Sequence, residues 1–213
     1  MKYPQIRIGT CIPGHLAESW APSLMDLGFE TMSINFHMEY HGVDVAEQGP
    51  RMKAFAEERG VEITTLGYYC NALEHEDHLR NLEKAIDCAH LYGAKTVSTF
   101  AGALEGKDVP AAMPRFKEVF SELARRAEAN GVKLAIENCP MGGTWKKGTC
   151  NIGYSPRAWD MMFNEVPSDA LGLEWEPAHQ MYQLIDPVAC LRRYVKLLAE
   201  RNALIKLADG GRS

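Results

Sequence analysis

The chain is 213 residues long, 46% hydrophobic, and carries a formal net charge of -5. That length holds one domain, or at most two, around a sizeable core. The negative balance opposes a phosphate backbone, and the nearest thing to a basic run, Trp145-Lys146-Lys147, is too short for a nucleic-acid footprint, so no nucleic-acid partner is expected.

One rhythm repeats from end to end: a short apolar, β-branched run, polar residues or glycine at its close, then a helical stretch ended by glycine or asparagine. The predicted strands are Ile6–Ile12, Phe29–Phe36, Val61–Tyr69, Lys95–Phe100, Val132–Asn138, Leu171–Trp175 and Ala203–Ala208. Between them, Glu76–Tyr92 lines up Leu79, Leu82, Ile86 and Ala89 at helical spacing. Pro114–Asn130 does the same with Phe116, Phe120, Leu123 and Ala127, and Pro187–Glu200 with Val188, Leu191, Val195 and Leu198. Arg59-Gly60, Tyr92-Gly93 and Asn130-Gly131 are stop signals, whereas Ser155-Pro156 and Asp186-Pro187 are starts.

Strands alternating with helices imply a parallel α/β sheet, because each crossover returns the chain to the same end. No G-x-G-x-x-G follows the first strand, which removes the main support for a dinucleotide-binding sheet. Near-equal units of roughly 25 to 40 residues favour a (β/α)8-type TIM barrel, with about seven units present. Eight such units need about 250 residues, so residues 1–213 are expected to form a single barrel domain lacking its last helix–strand–helix portion, as a trimmed or prematurely ended chain would. The open edges of an incomplete sheet invite pairing with a second copy, hence a possible homo-oligomer.

The six cysteines are scattered without a C-x-x-C pair and read as small buried hydrophobes in a reducing compartment. The N-terminus has no secretion-signal pattern and no run approaches a membrane span, so a cytoplasmic protein without a membrane partner is expected.

In a parallel barrel, polar residues at strand C-termini converge on one pocket. Those ends carry His15, then Asn35, His37 and Glu39, then Tyr68, Tyr69 and Asn71, then Glu137-Asn138, then Glu174, Glu176 and His179, and finally Lys206 and Asp209. A carboxylate closing the buried run Leu134-Ala-Ile is costly unless a metal, a cation or a proton meets it, which singles out Glu137. Glu174 is expected to face the helices, the histidines at 41, 75, 78 and 90 to be surface, and Trp20 and Trp159 to pack. Trp145 lies in the long loop beside Glu137.

The runs Lys133-Leu-Ala-Ile-Glu-Asn-Cys-Pro and Leu171-Gly-Leu-Glu-Trp-Glu-Pro-Ala-His-Gln, followed by Ile185-Asp-Pro, resemble the xylose-isomerase-like TIM-barrel superfamily, which includes sugar isomerases and epimerases and endonuclease-IV-type enzymes. The resemblance covers essentially the whole chain in unit order. It implies that Glu137 binds a divalent metal and acts as a proton-transfer base, that Glu176 stands for a metal-binding aspartate, and that His179 is the nearby histidine and a further ligand. His37, His179, Lys206 and Trp145 are the candidate substrate contacts. The implied ion is Mn, Mg, Zn or Co, serving as Lewis acid while a carboxylate moves a proton beside a carbonyl.

The pattern departs from the family in three places. Glu176 is one methylene longer than the usual aspartate. Lys206 stands where a strand-seven histidine is expected, and the strand-eight glutamate has no counterpart, so two or three of four expected ligands remain. The expected activity is isomerisation or epimerisation of a small keto-sugar or sugar-like polyol through an enediolate. The alternatives are a diverged or truncated barrel without activity and, third, an abasic-site endonuclease.

Overall fold

A computed structural model describes residues 6–183, 186–190 and 192. Among these, six strands alternate with helices: β1 (Gly9–Pro13), α1 (Ala17–Asp26), β2 (Thr31–His37), α2 (Val45–Arg59), β3 (Glu62–Tyr69), α3 (Glu76–Cys88), β4 (Thr96–Thr99), α4 (Val109–Ala129), β5 (Lys133–Glu137), α5 (Pro156–Glu165), β6 (Leu171–Glu174) and α6 (Pro177–Tyr182). The predicted strand at Ala203–Ala208, with Lys206 and Asp209, lies outside the described residues. So does most of the helix predicted from Pro187, although 187–190 are helical. Asp186 starts that turn by accepting from the backbone N–H groups of Val188 (2.9 Å) and Ala189 (3.2 Å).

All neighbouring strands pair in parallel, and their order in the sheet is their order in the chain. A doubly wound sheet reverses its order at a switch point and thereby carries helices on both faces. With right-handed crossovers, a sheet that never reverses places all its helices on one side, and its other face leaves water by curling inward. The architecture is therefore a TIM-type barrel with six of its strands in the described residues. Within them, β1 and β6 are the sheet edges.

Why these segments form these elements is visible in their burial. The first six residues of β2 are all buried, and so are the last five of β3, as expected for strands covered on both faces. β1 begins three residues later than the apolar run suggests. Ile6 and Ile8 are exposed, and the ladder starts only where Gly9 meets Thr31. The predicted stripe of α4 is realised, with Phe116, Phe120, Leu123 and Ala127 all buried, and each phenylalanine contributes about 2–3 kcal/mol by leaving water. The helix starts at Val109 rather than at Pro114, because the Asp108 carboxylate accepts the Ala111 N–H at 2.8 Å and Pro110 occupies the first turn. Arg126 of α4 then grips Asp87 of α3 through two hydrogen bonds of 2.9 and 2.5 Å. Gly60 and Gly93 close their helical segments at φ +66° and +74°, where a side chain would be strained.

No helix among the described residues is long and apolar enough to cross a membrane.

Candidate metal and proton-transfer site

The C-terminal ends of β5 and β6 bring the charged groups together. In the sheet register Glu137 stands opposite Glu174, and both are buried. Glu176 lies just beyond β6, at the cap of α6, and the first turn of α6 carries His179 back over the strand ends. There His179 Nε2 is 2.8 Å from Glu176 Oε2 and 3.4 Å from Glu137 Oε1. The Cys139 sulfur, Glu137 and Glu176, in that order, push the imidazole pKa from 6.5 up to about 12, against the opposing effect of burial.

Two asparagines hold this arrangement. Asn138 donates to the Glu176 carbonyl at 2.9 Å and accepts the Glu176 N–H at 2.6 Å, locking the start of α6 to the end of β5. Asn151 is buried in the long loop after β5. Its amide donates to the carbonyls of Glu137 (2.8 Å) and Cys139 (2.7 Å), while its oxygen accepts from Ala101 and Gly153 at 2.9 Å each. One side chain thus fixes the backbone on both sides of Asn138.

Glu174 corrects the expectation that it faces the helices. It accepts from the Tyr69 hydroxyl at 2.9 and 3.1 Å. In a flat sheet β3 and β6 would be about 14 Å apart, so this bond spans the concave side and places Glu174 in the barrel interior. Gly67, two residues before Tyr69, makes the space: a Cβ there would lie 2.7 Å from the Tyr69 ring. Burial, then the charges of Glu137 and other neighbours, hold the Tyr69 phenol well above its ordinary pKa, so it is a donor to the carboxylate.

Of the other candidates, His37 ends β2 and stacks on Tyr69 with ring centroids 4.8 Å apart, which sets it at the same mouth. The Trp145 carbonyl accepts the Val109 N–H at 3.0 Å, and its indole lies under the Arg157 guanidinium at 4.0 Å. Lys206 lies outside the described residues. His15 sits against His41, with 4.6 Å between ring centroids.

The cysteine reading holds for three of the six. Cys70, Cys88 and Cys190 are buried as expected, but Cys11 is exposed, Cys150 is half-buried, and Cys139 is half-buried within the charged group. One donor atom from each of Glu137, Cys139 and His179 falls within 4.8 Å of the others. Three ligands around a tetrahedral ion lie about 3.4–3.8 Å apart, so small side-chain rotations would bring these atoms onto one centre. The residues present therefore fit a divalent ion. Cys139 stood in the sequence two positions after Glu137, and that spacing was its one signal. Asn151 had none, since its partners are distant in the chain.

Comparison with known proteins bears on the fold. The chain belongs to the family of xylose isomerase-like TIM barrels, which it matches over residues 23–210. Its fold is similar to the solved structure of an L-ribulose 3-epimerase, with a TM-score of 0.69 and 16% identity, covering 89% of this chain and 66% of that one. It is also similar to the 3-keto-D-glucoside 4-epimerase of E. coli (TM-score 0.70, 14% identity, 96% and 80% covered). A family 2 AP endonuclease of Brucella melitensis has the same fold (TM-score 0.69, 13% identity, 98% and 84% covered). The chain spans just under two thirds of the length of the first of these structures. No curated protein matches its sequence.

Proposed function

We propose that the chain carries the metal and proton-transfer centre of an isomerase or epimerase acting on a small keto-sugar or sugar-like polyol. The observation that supports this most directly is the convergence of Glu137, Glu176 and His179 at the ends of β5 and β6. Glu137, Glu176 and His179 would hold the ion, which when bound supplies a Lewis acid that polarises the substrate carbonyl.

The chain's own groups then account for the proton. Glu137 takes it from the carbon beside the carbonyl. In an isomerisation it returns the proton to the neighbouring carbon on the same face, whereas an epimerisation draws the returning proton from a second acid on the opposite face. Its burial keeps water from competing, and the Asn151 contact to its carbonyl fixes the backbone from which its side chain springs. His37, stacked on Tyr69, is placed to read a substrate hydroxyl at the mouth.

The test is exchange of substrate carbon-bound hydrogen in deuterium oxide, with a panel of free ketopentoses and ketohexoses and added Mn²⁺, Co²⁺ or Zn²⁺. Deuterium incorporation that Glu137→Gln abolishes is the expected outcome. Incorporation unchanged in Glu137→Gln, or none with any sugar and any ion, overturns the reading.

A further inference from the structure

The donor group at the end of β5 contains a thiol that the carboxylate–imidazole reading does not use. Cys139 lies two residues beyond Glu137, and its carbonyl is pinned by the same Asn151 amide that pins the carbonyl of Glu137. Its position relative to Glu137 is therefore set by buried backbone contacts. Its sulfur lies within 4.8 Å of a donor atom of both Glu137 and His179, and its half-buried position leaves it reachable by an entering ion.

We infer that Cys139 is a thiolate ligand of the ion, which makes this site select Zn²⁺ or Co²⁺ over Mg²⁺ and Mn²⁺. The inference rests on the reading of Glu137 and His179 as metal ligands. Oxygen-only or oxygen–imidazole sites leave hard ions such as Mn²⁺ and Mg²⁺ in contention, whereas a thiolate favours softer ions. One sulfur, one imidazole nitrogen and one carboxylate oxygen also make three protein ligands, the number found where a fourth position stays open for substrate. Glu176 Oε2 lies 2.8 Å from the same His179 Nε2 that faces Glu137, so that nitrogen gives up its hydrogen bond to Glu176 when it binds the ion. On binding, the thiol gives its proton to solvent and the sulfur lone pair forms the bond to the ion, with no change of oxidation state.

The experiment is titration of the metal-free protein with Co²⁺, read by absorption, followed by competition with Zn²⁺ and Mn²⁺, for the unaltered protein and for Cys139→Ser and Cys139→Ala. The expected result is an intense thiolate-to-cobalt charge-transfer band in the near ultraviolet that both variants lose. Zn²⁺ affinity should fall by at least about tenfold in both, with Mn²⁺ affinity little changed. A circular-dichroism melt of each variant shows that it is folded. If Co²⁺ binds with no such band, or Zn²⁺ binds equally well to all three proteins, the thiolate inference is overturned and the Glu137–Glu176–His179 reading stands. If no ion binds the unaltered protein, both fail together.

Discussion

The two arcs of the strand-end rim solve opposite problems. Around β2 and β3 the buried tyrosines are neutral. The Tyr40 hydroxyl donates to the Asn81 carbonyl at 2.7 Å, Tyr68 donates to the Met38 carbonyl at 2.7 Å, and the two rings lie 4.7 Å apart. Burial holds the Tyr68 phenol at about 12, so it never ionises in the working range. Around β5 and β6 the same kind of position carries Glu137, Glu174, Glu176, Cys139 and His179. The first arc exchanges water for backbone carbonyls and gains stability. The second concentrates like charges in a partly dry place, which costs stability and leaves groups able to take a cation or move a proton. A barrel end can thus be part scaffold and part reaction site, and the difference lies in whether each polar group is already satisfied by backbone.

That contrast can be broken at its supports. The largest effect is expected from Asn151→Ala, which removes four hydrogen bonds from a fully buried loop residue. Urea denaturation should show a loss of about 3 kcal/mol, since buried donors and acceptors are left without their partner. Metal affinity should fall as well, because Glu137 and Cys139 are no longer held together.

Tyr68→Phe probes the neutral arc alone. It deletes the donor to Met38 and leaves the Asn81 amide, 3.0 Å from the lost oxygen, without that acceptor. A loss of about 1–2 kcal/mol is expected in the same measurement, with metal binding unchanged.

The smallest effect is a pH dependence. The His179 pKa in the folded protein is raised above the ordinary 6.5, so its pairing stabilises fully below the unfolded value and is lost as pH rises through the folded value near 12. In metal-free protein, His179→Ala should therefore cost more stability at pH 6 than at pH 9, by on the order of 1 kcal/mol. Equal cost at both pH values would mean that the imidazole is not charged by its neighbours.

Most of the barrel was legible in the sequence because its signals are local and repeated. β2 to β6 lie within two residues of the predicted runs, and Gly60, Gly93 and Gly131 end helical segments as expected. The start of α4 was hidden because Pro114 resembles a first-turn proline, while the real start depends on the Asp108 side chain. Glu137 was legible as a carboxylate closing an apolar strand. Glu174 was misread against strand alternation, which puts it on the same face as Glu176 and its register partner Glu137; only its hydrogen bond from Tyr69, 105 residues earlier, depends on the curl of the sheet. Cys139 was passed over among six similar residues, since only the return of α6 over the strand ends sets it beside His179. Local pattern writes the strands, and long-range closure writes the site.

The central claim is that the charged arc at β5 and β6 exists to hold a divalent ion. Calorimetric titration of metal-free protein with Zn²⁺ and Mn²⁺, alongside Glu137→Gln, tests it most directly. The account predicts one ion per chain in the unaltered protein and strongly weakened binding in the variant. No uptake by the unaltered protein, or equal uptake by both, would contradict it.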